Sequence, residues 1–238
     1  VFHPVQHDEV DAEIIPCHLF LKDKRDATGK FQSLKARLVA GGNREYIDYL
    51  SDNSSPTVDT KTVFMMLDVA NSLDLDIVQH DVKAAYLNAP MTRSIYMRIS
   101  KDIASVLLTI TPAAWKQYVQ NDGSMLVKLD RAIYGTVEAA KLWNAHITST
   151  LLQLGLRQSK HDRCLFYKVN NMLRTYVCLH VDDLLLASND KAMTKYIRTG
   201  LTKMYKSITT MEGNDLSFLG LHVVRDRKKG ETRIDENG

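Results

Sequence analysis

The chain has 238 residues, 45% of them hydrophobic and 25% charged, with few glycines and prolines, which excludes a disordered or fibrous protein and leaves room for one large domain or two small ones. No run of 18 apolar residues occurs, and Val1 to Val10 lacks the apolar segment of a secretory signal, so neither a membrane span nor secretion is expected. Net charge is only +3, and Cys17, Cys164 and Cys178 match no zinc or redox spacing, so they read as reduced thiols of a cytosolic or nuclear protein.

In chain order, Leu19 to Lys22 and Ser33 to Ala40 predict two short strands joined by a polar turn with Asp26, Thr28 and Gly29, ended by Gly41-Gly42. Asn43 to Asp59 reads as loop. Val63, Met66, Leu67 and Ala70 have the spacing of a helix over Thr60 to Leu73. Asp76 to Asp81 fits a short strand, followed by a turn into a helix that Pro90 stops. Ile95 to Ile99 and Met125 to Leu129 look extended, with a helical turn or two over Ile103 to Leu108. A helix over about Val137 to Leu154 shows Trp143, Ile147, Leu151 and Leu154 on one face and stops at Gly155. Cys164 to Val169, a turn at Asn170-Asn171, and Leu173 to Val181 form the clearest hairpin. A helix over about Lys191 to Met204 and a strand pair over Leu216 to Val224 complete an α+β pattern with a partly antiparallel sheet and packed helices.

Two basic clusters stand out: Lys22, Lys24, Arg25, Lys30, Lys35, Arg37 and Arg44 near the start, and Arg225, Arg227, Lys228 and Lys229 near the end. Both suit a polyanion, nucleic acid or a triphosphate, and both read first as solvated surface. The carboxylates are less ordinary. Asp182-Asp183 interrupts two apolar runs at a tight bend, where like charges repel and desolvation is costly unless a cation reverses the balance. A solvated turn is the plainer reading of that pair alone. Asp81 strengthens the metal reading, because it too ends a short apolar strand, and hard cations such as Mg²⁺ take carboxylate oxygens plus substrate phosphates.

Lys35 to Gly41, Gln79 to Asn88, Ile95 to Met97, Val127 to Gly135, Ser159 to Asp162, Val181 to Leu185 and Phe218 to Gly220 are short motifs whose order resembles that of copia-type reverse transcriptases of LTR retrotransposons. Lys35-Ala-Arg-Leu-Val-Ala-Gly41 is similar to their fingers motif, and Gln79-His-Asp-Val-Lys-Ala-Ala-Tyr-Leu-Asn88 to their first catalytic motif. Ile95-Tyr-Met97, Val127 to Gly135 with Trp143, Ser159-Lys-His-Asp162, Val181-Asp-Asp-Leu-Leu185 and Phe218-Leu-Gly220 follow in the family's order. The resemblance spans about residues 19 to 224.

The resemblance implies the fingers and palm of a right-hand polymerase with the thumb largely missing. It divides the chain into fingers (1–75, with the polar loop 43–59), a first palm part (76–100), a connection and helix (101–160), a second palm part with catalytic hairpin and primer grip (161–224), and the start of a thumb or tail (225–238). Asp81 and Asp182 would bridge two Mg²⁺ ions, with Mn²⁺ as the alternative, Asp183 close by and the Val82 carbonyl completing one shell. Lys22 and Arg37 would bind the incoming dNTP. Tyr86 would be the steric gate against a 2′-hydroxyl, with Tyr134 and Gly135 beside the templating pair. Phe218, Leu219 and Gly220 would form the primer grip. Lys203 and Lys206 both stand where a general acid to pyrophosphate is expected. Implied partners are a primer–template of RNA or DNA and dNTPs, with no membrane, in a cytoplasmic virus-like particle or the nucleus.

Four departures touch this pattern: His180 for a common Tyr, Thr136 to Lys141 for Leu-Lys-Gln-Ala-Pro-Arg, Ala89 for Gly, and Gly41-Gly42 for Arg-Gly. None removes a metal ligand, but they put the contacts around Gly135 in question. The rival expectations are a decayed or domesticated copy that binds nucleic acid without catalysis, and a structural segment of a polyprotein.

Overall fold

The computed structural model describes residues 1–25, 29–45 and 53–236. Asp26, Thr28 and the middle of the expected loop lie outside the described residues. From the N-terminus, β1 (Phe2–Val5), β2 (Ile14–Arg25) and β3 (Phe31–Ala40) precede α1 (Thr60–Ser72) and β4 (Asp76–Val82). β5 (Tyr96–Ile99), α2 (Lys101–Ile110), a single turn α3 (Pro112–Trp115), β6 (Met125–Leu129) and α4 (Ala139–Gln153) follow. Then come β7 (Arg157–Gln158), β8 (Leu165–Asn170), β9 (Leu173–His180), β10 (Asp183–Ser188), α5 (Lys191–Tyr205) and β11 (Ile208–Glu212). The last strands are β12 (Asp215–Phe218), β13 (Leu221–Asp226) and β14 (Glu231–Glu236). The fold is α+β with largely antiparallel sheets. β1, β11 and β14 are polar or short enough to have escaped the sequence reading.

Two compact units divide the chain: Val1–Ser54 with Tyr86–Trp143, and Ser55–Ala85 with Asn144–Gly238. Within the second unit α1 packs against β9, β10 and β14.

In the first unit the strand order is β1-β6-β5-β2-β3. Only the first residues of β2 join it, Ile14 to Pro16 pairing in parallel with β5. Ile15, Met97, Ile99, Met125 and Val127 fill its core, and α2 lays Ala104 and Leu107 against it. From His18 onward β2 pairs only with β3, so the two run on as a ribbon whose side chains are nearly all exposed, Phe20 and Leu21 at 58% and 59%.

The second unit is built on a six-stranded sheet, β11-β4-β10-β9-β8-β7, beside a three-stranded sheet, β12-β13-β14. β4, β9 and β10 are covered on both faces, which is why Ile77-Val78 and Leu184 to Ala187 are unbroken apolar runs. α1 starts at Asp59, whose carboxylate caps the Lys61 N–H, and buries Val63, Met66, Leu67 and Ala70 as its spacing predicts. Asp162 anchors the entry to α1: its carboxylate accepts from the N–H groups of Asp59 and Cys164. The Ser159 to Asp162 motif is thus a clamp between two loops. α5, capped by Asp190, buries Met193, Ile197, Leu201 and Tyr205 at four-residue intervals.

The second basic cluster is largely absorbed by the fold. Arg225 is buried and donates to the carbonyls of Leu75 and Ala70 at the end of α1. Arg227 pairs with Asp74 and Asp76 at 2.6 Å, and Lys229 with Asp226. The expectation of a polyanion surface there is therefore corrected, since the guanidiniums of Arg225 and Arg227 are spent on the turn between α1 and β4. All three cysteines are free and buried, and burial pushes the thiols of Cys164 and Cys178 up to about 11 and about 12.

Candidate active site

The carboxylates meet at one end of the six-stranded sheet. β10 pairs with β4 so that Asp183 stands directly opposite Asp81, and with β9 so that Asp183 also faces His180. Directly opposed residues of antiparallel strands have Cβ atoms about 4.5–5.5 Å apart and point to the same face. Thr209 of β11 extends this row beyond Asp81.

The bend lies one residue earlier than the sequence suggested. With His180 and Asp183 paired, the two turn residues are Val181 and Asp182. Val181 has φ 52°, a left-handed conformation that glycine usually fills and that costs a β-branched residue about 1–3 kcal/mol. The turn is tied down: the Val82 N–H donates to the Asp182 carbonyl at 2.9 Å, and the Lys83 N–H to that of Ser207 at 3.1 Å.

Burial raises the Asp183 carboxyl above the usual range, and the Asp182 and Asp81 carboxylates push it the same way. The Gln79 amide and His180 oppose them. On the other face of β4, His80 is buried with Nδ1 3.0 Å from the Thr210 hydroxyl, and burial lowers its pKa to about 4.

Among the described residues, no three His, Cys, Asp or Glu side chains are already grouped as a metal cage. The donor set still fits Mg²⁺, which demands one or two carboxylates and completes its octahedron with water and substrate phosphates. The half-buried Asp183, its charged form disfavoured by burial and by the Asp182 and Asp81 carboxylates beside it, is what a divalent cation would relieve.

The other expected residues fall in two places. In the first unit, the Arg37 guanidinium lies 5.3 Å over the Tyr134 ring, and Tyr134 meets Tyr86 at 4.8 Å between centroids. Tyr86 is half-buried on a short turn, Ala85–Asn88. Lys22 projects from the ribbon on the face that carries Phe20, Lys35 and Arg37, directly opposite Lys35. Like charges so placed repel unless an anion lies between them.

Gly135 is held by its own chain. A Cβ on Gly135 would run into the Ala40 carbonyl, and one on Gly42 into the Gly135 carbonyl, while the Ala40 N–H donates to Tyr134 at 2.8 Å. This close approach requires glycine at both positions. The departure at Thr136 to Lys141 belongs to the same arrangement: Arg93 bridges Glu45 and Glu138, and the Val137 N–H donates to Glu45. In the second unit, Phe218 is buried, and Leu219 and Gly220, both with positive φ, form the turn between β12 and β13. Sequence reasoning passed over Gln79, whose only signal was a polar residue inside a short apolar strand.

A family model described as "Reverse transcriptase (RNA-dependent DNA polymerase)" matches residues 3–235. The retrovirus-related Pol polyprotein from transposon TNT 1-94 of Nicotiana tabacum is 28% identical over 218 residues, 90% of this chain and 15% of that protein. The transposon Ty1-DR1 Gag-Pol polyprotein of Saccharomyces cerevisiae is 30% identical over 229 residues, 93% of this chain and 12% of that protein. The chain thus spans about an eighth to a seventh of the length of these relatives. Among solved structures, apo telomerase from Candida tropicalis, truncated from its C-terminal domain, aligns with a TM-score of 0.46 and 11% identity over 98% of this chain and 57% of that one.

Proposed function

Because the chain belongs to the reverse transcriptase (RNA-dependent DNA polymerase) family, we propose that it is a nucleotidyltransferase that extends a primer on an RNA or DNA template with dNTPs. The observation that carries this reading is the in-register pairing of Asp81 with Asp183 beside the strained Val181-Asp182 turn. Two Mg²⁺ ions, or Mn²⁺, held by Asp81 and Asp182 with Asp183 and the Val82 carbonyl beside them, would activate the primer 3′-hydroxyl and neutralise the leaving pyrophosphate.

The protein's own groups do the rest. Lys22 and Arg37 give charge-assisted contacts to the triphosphate. Stacking under Arg37 fixes the ring of Tyr134, which in turn supports Tyr86 as the wall that excludes a 2′-hydroxyl. The β12–β13 turn at Phe218, Leu219 and Gly220 positions the primer. Of the two candidate lysines, Lys206 is favoured as proton donor to pyrophosphate. It adjoins Ser207, whose carbonyl holds Lys83, at the carboxylate end of the sheet.

Particle-associated cytoplasmic or nuclear residence belongs to the same proposal. Among the described residues no helix is long and apolar enough to cross a membrane. Primer extension on poly(rA)/oligo(dT) with and without Mg²⁺ tests the function. Metal-dependent incorporation of dTTP is expected, and binding of the duplex without incorporation would replace the polymerase by a non-catalytic nucleic-acid-binding protein.

A further inference from the structure

The face of β4 that carries Asp81 holds one more polar side chain. Gln79 lies two residues earlier, opposite Leu185 of β10 and Met211 of β11, in the row next to the carboxylates. It is only 5% exposed. Its Nε2 donates to Oδ1 of Asp183 at 3.4 Å, and its Oε1 is buried with no hydrogen-bond partner among the described residues. Its surroundings are apolar: Leu185 and Cys178 share the row, and the Cys178 thiol meets the Met66 sulfur of α1 at 3.5 Å.

A glutamine there is costly for folding alone, since a buried acceptor left unpaired is destabilising and a methionine would fill the space without a polar atom. Asp183 explains the amide. Its carboxylate stands beside two others, and nothing in that repulsion selects one orientation of its oxygens. A donor reaching Oδ1 from within the sheet does select one. It turns one oxygen back toward β4 and would leave Oδ2 to face the cations. Groups of this kind orient metal ligands, and their loss typically costs 10- to 100-fold in metal affinity or activity.

We propose that Gln79 is a positioning residue that orients Asp183 for divalent-cation binding. This rests on the polymerase reading above. The test compares wild type with Gln79→Met and Gln79→Leu in a stalled complex, with a dideoxy-terminated primer on its template and the matching dNTP, titrated with Mn²⁺ while free Mn²⁺ is read by electron paramagnetic resonance. Mn²⁺ affinity should fall about tenfold or more in both variants. The Mg²⁺ concentration for half-maximal extension should rise by a similar factor, with extension at saturating Mg²⁺ within about threefold of wild type. Metal-free thermal stability should be unchanged or higher, because the unpaired acceptor is gone. In an Asp183→Asn background the Gln79→Met change should leave Mn²⁺ binding unaltered, a coupling that a purely structural role would not produce. Wild-type Mn²⁺ affinity in both variants, alongside normal extension by wild type, would overturn the role of Gln79 and leave the polymerase reading intact. So would a metal-free Tm lowered in both variants by more than about 5 °C, which would make Gln79 a core residue. Absence of both Mn²⁺ binding and extension in wild type would overturn the polymerase reading itself, and this inference with it.

Discussion

Two hairpins of this chain share a topology and differ in everything else. β2–β3 is a ribbon, its strands paired only with each other beyond Cys17, and both faces meet solvent. β9–β10 lies in the middle of a six-stranded sheet, with Val177 to Leu179 and Leu184 to Ala187 buried. On the ribbon charged and apolar residues are exposed alike, Lys22 and Lys35 beside Leu21 and Leu34. In the sheet a charge beside these buried stretches is costly, so Asp182 and Asp183 at the turn demand a reason. A charged group's surroundings, more than its identity, therefore determine how much it reveals about function. The same contrast orders the expected effects of substitution.

The largest effect is expected at the buried turn. Asp182→Asn removes one proposed metal-bridging charge and should lower primer extension by about a thousandfold or more, roughly 4 kcal/mol. Metal-free thermal stability should hold or rise, since a carboxylate neighbouring Asp183 and raising its pKa is neutralised. Near-normal extension by this variant would dissolve the functional distinction between the hairpins.

Next comes a matched pair of apolar truncations. Leu185→Ala in β10 empties a site only 1% exposed and should cost about 2–5 kcal/mol in urea denaturation. Leu21→Ala in β2, at 59% exposure, should stay within about 0.5 kcal/mol. Equal costs would mean that the ribbon face is covered in solution.

On the ribbon itself, Arg37→Ala should raise the KM for dNTP by about 10- to 100-fold with an unchanged Tm, the loss of a charge-assisted contact of about 1.5–3 kcal/mol. Steady-state kinetics together with a melting curve would check both halves. A fall in Tm with unaltered KM would mean that Arg37 serves only to pack on Tyr134.

The smallest shift is expected beside it. Tyr86→Val should increase ribonucleotide incorporation relative to dNTP about tenfold, the equivalent of ~1.4 kcal/mol of steric clash. Competition of rNTP and dNTP on one template measures it, and unchanged sugar selection in an active variant would reduce Tyr86 to a partner of the Tyr134 ring.

Legibility followed the same physics. α1, α4, α5 and the β8–β9 hairpin were predictable because each has one buried face and therefore a strict period: Val63, Met66, Leu67 and Ala70 in α1, or Ile197, Leu201 and Tyr205 in α5. β11 and β14 were not, since an edge strand such as Ile208-Thr-Thr-Met-Glu212 has too little burial to leave a pattern. The three carboxylates were legible as types in a context. Sequence alone thus determined the alternation of elements, the apolar strands that make Asp81, Asp182 and Asp183 conspicuous, and the order of motifs that identifies the family. Only the tertiary structure decided the rest. It set Asp81 opposite Asp183, placed Gln79 beneath them, and turned Arg225 and Arg227 from a basic patch into a brace for the end of α1. The reason is that register and the pairing of a charge with a distant acceptor depend on contacts between residues as much as 155 positions apart, as from Arg225 to Ala70, which no local pattern encodes.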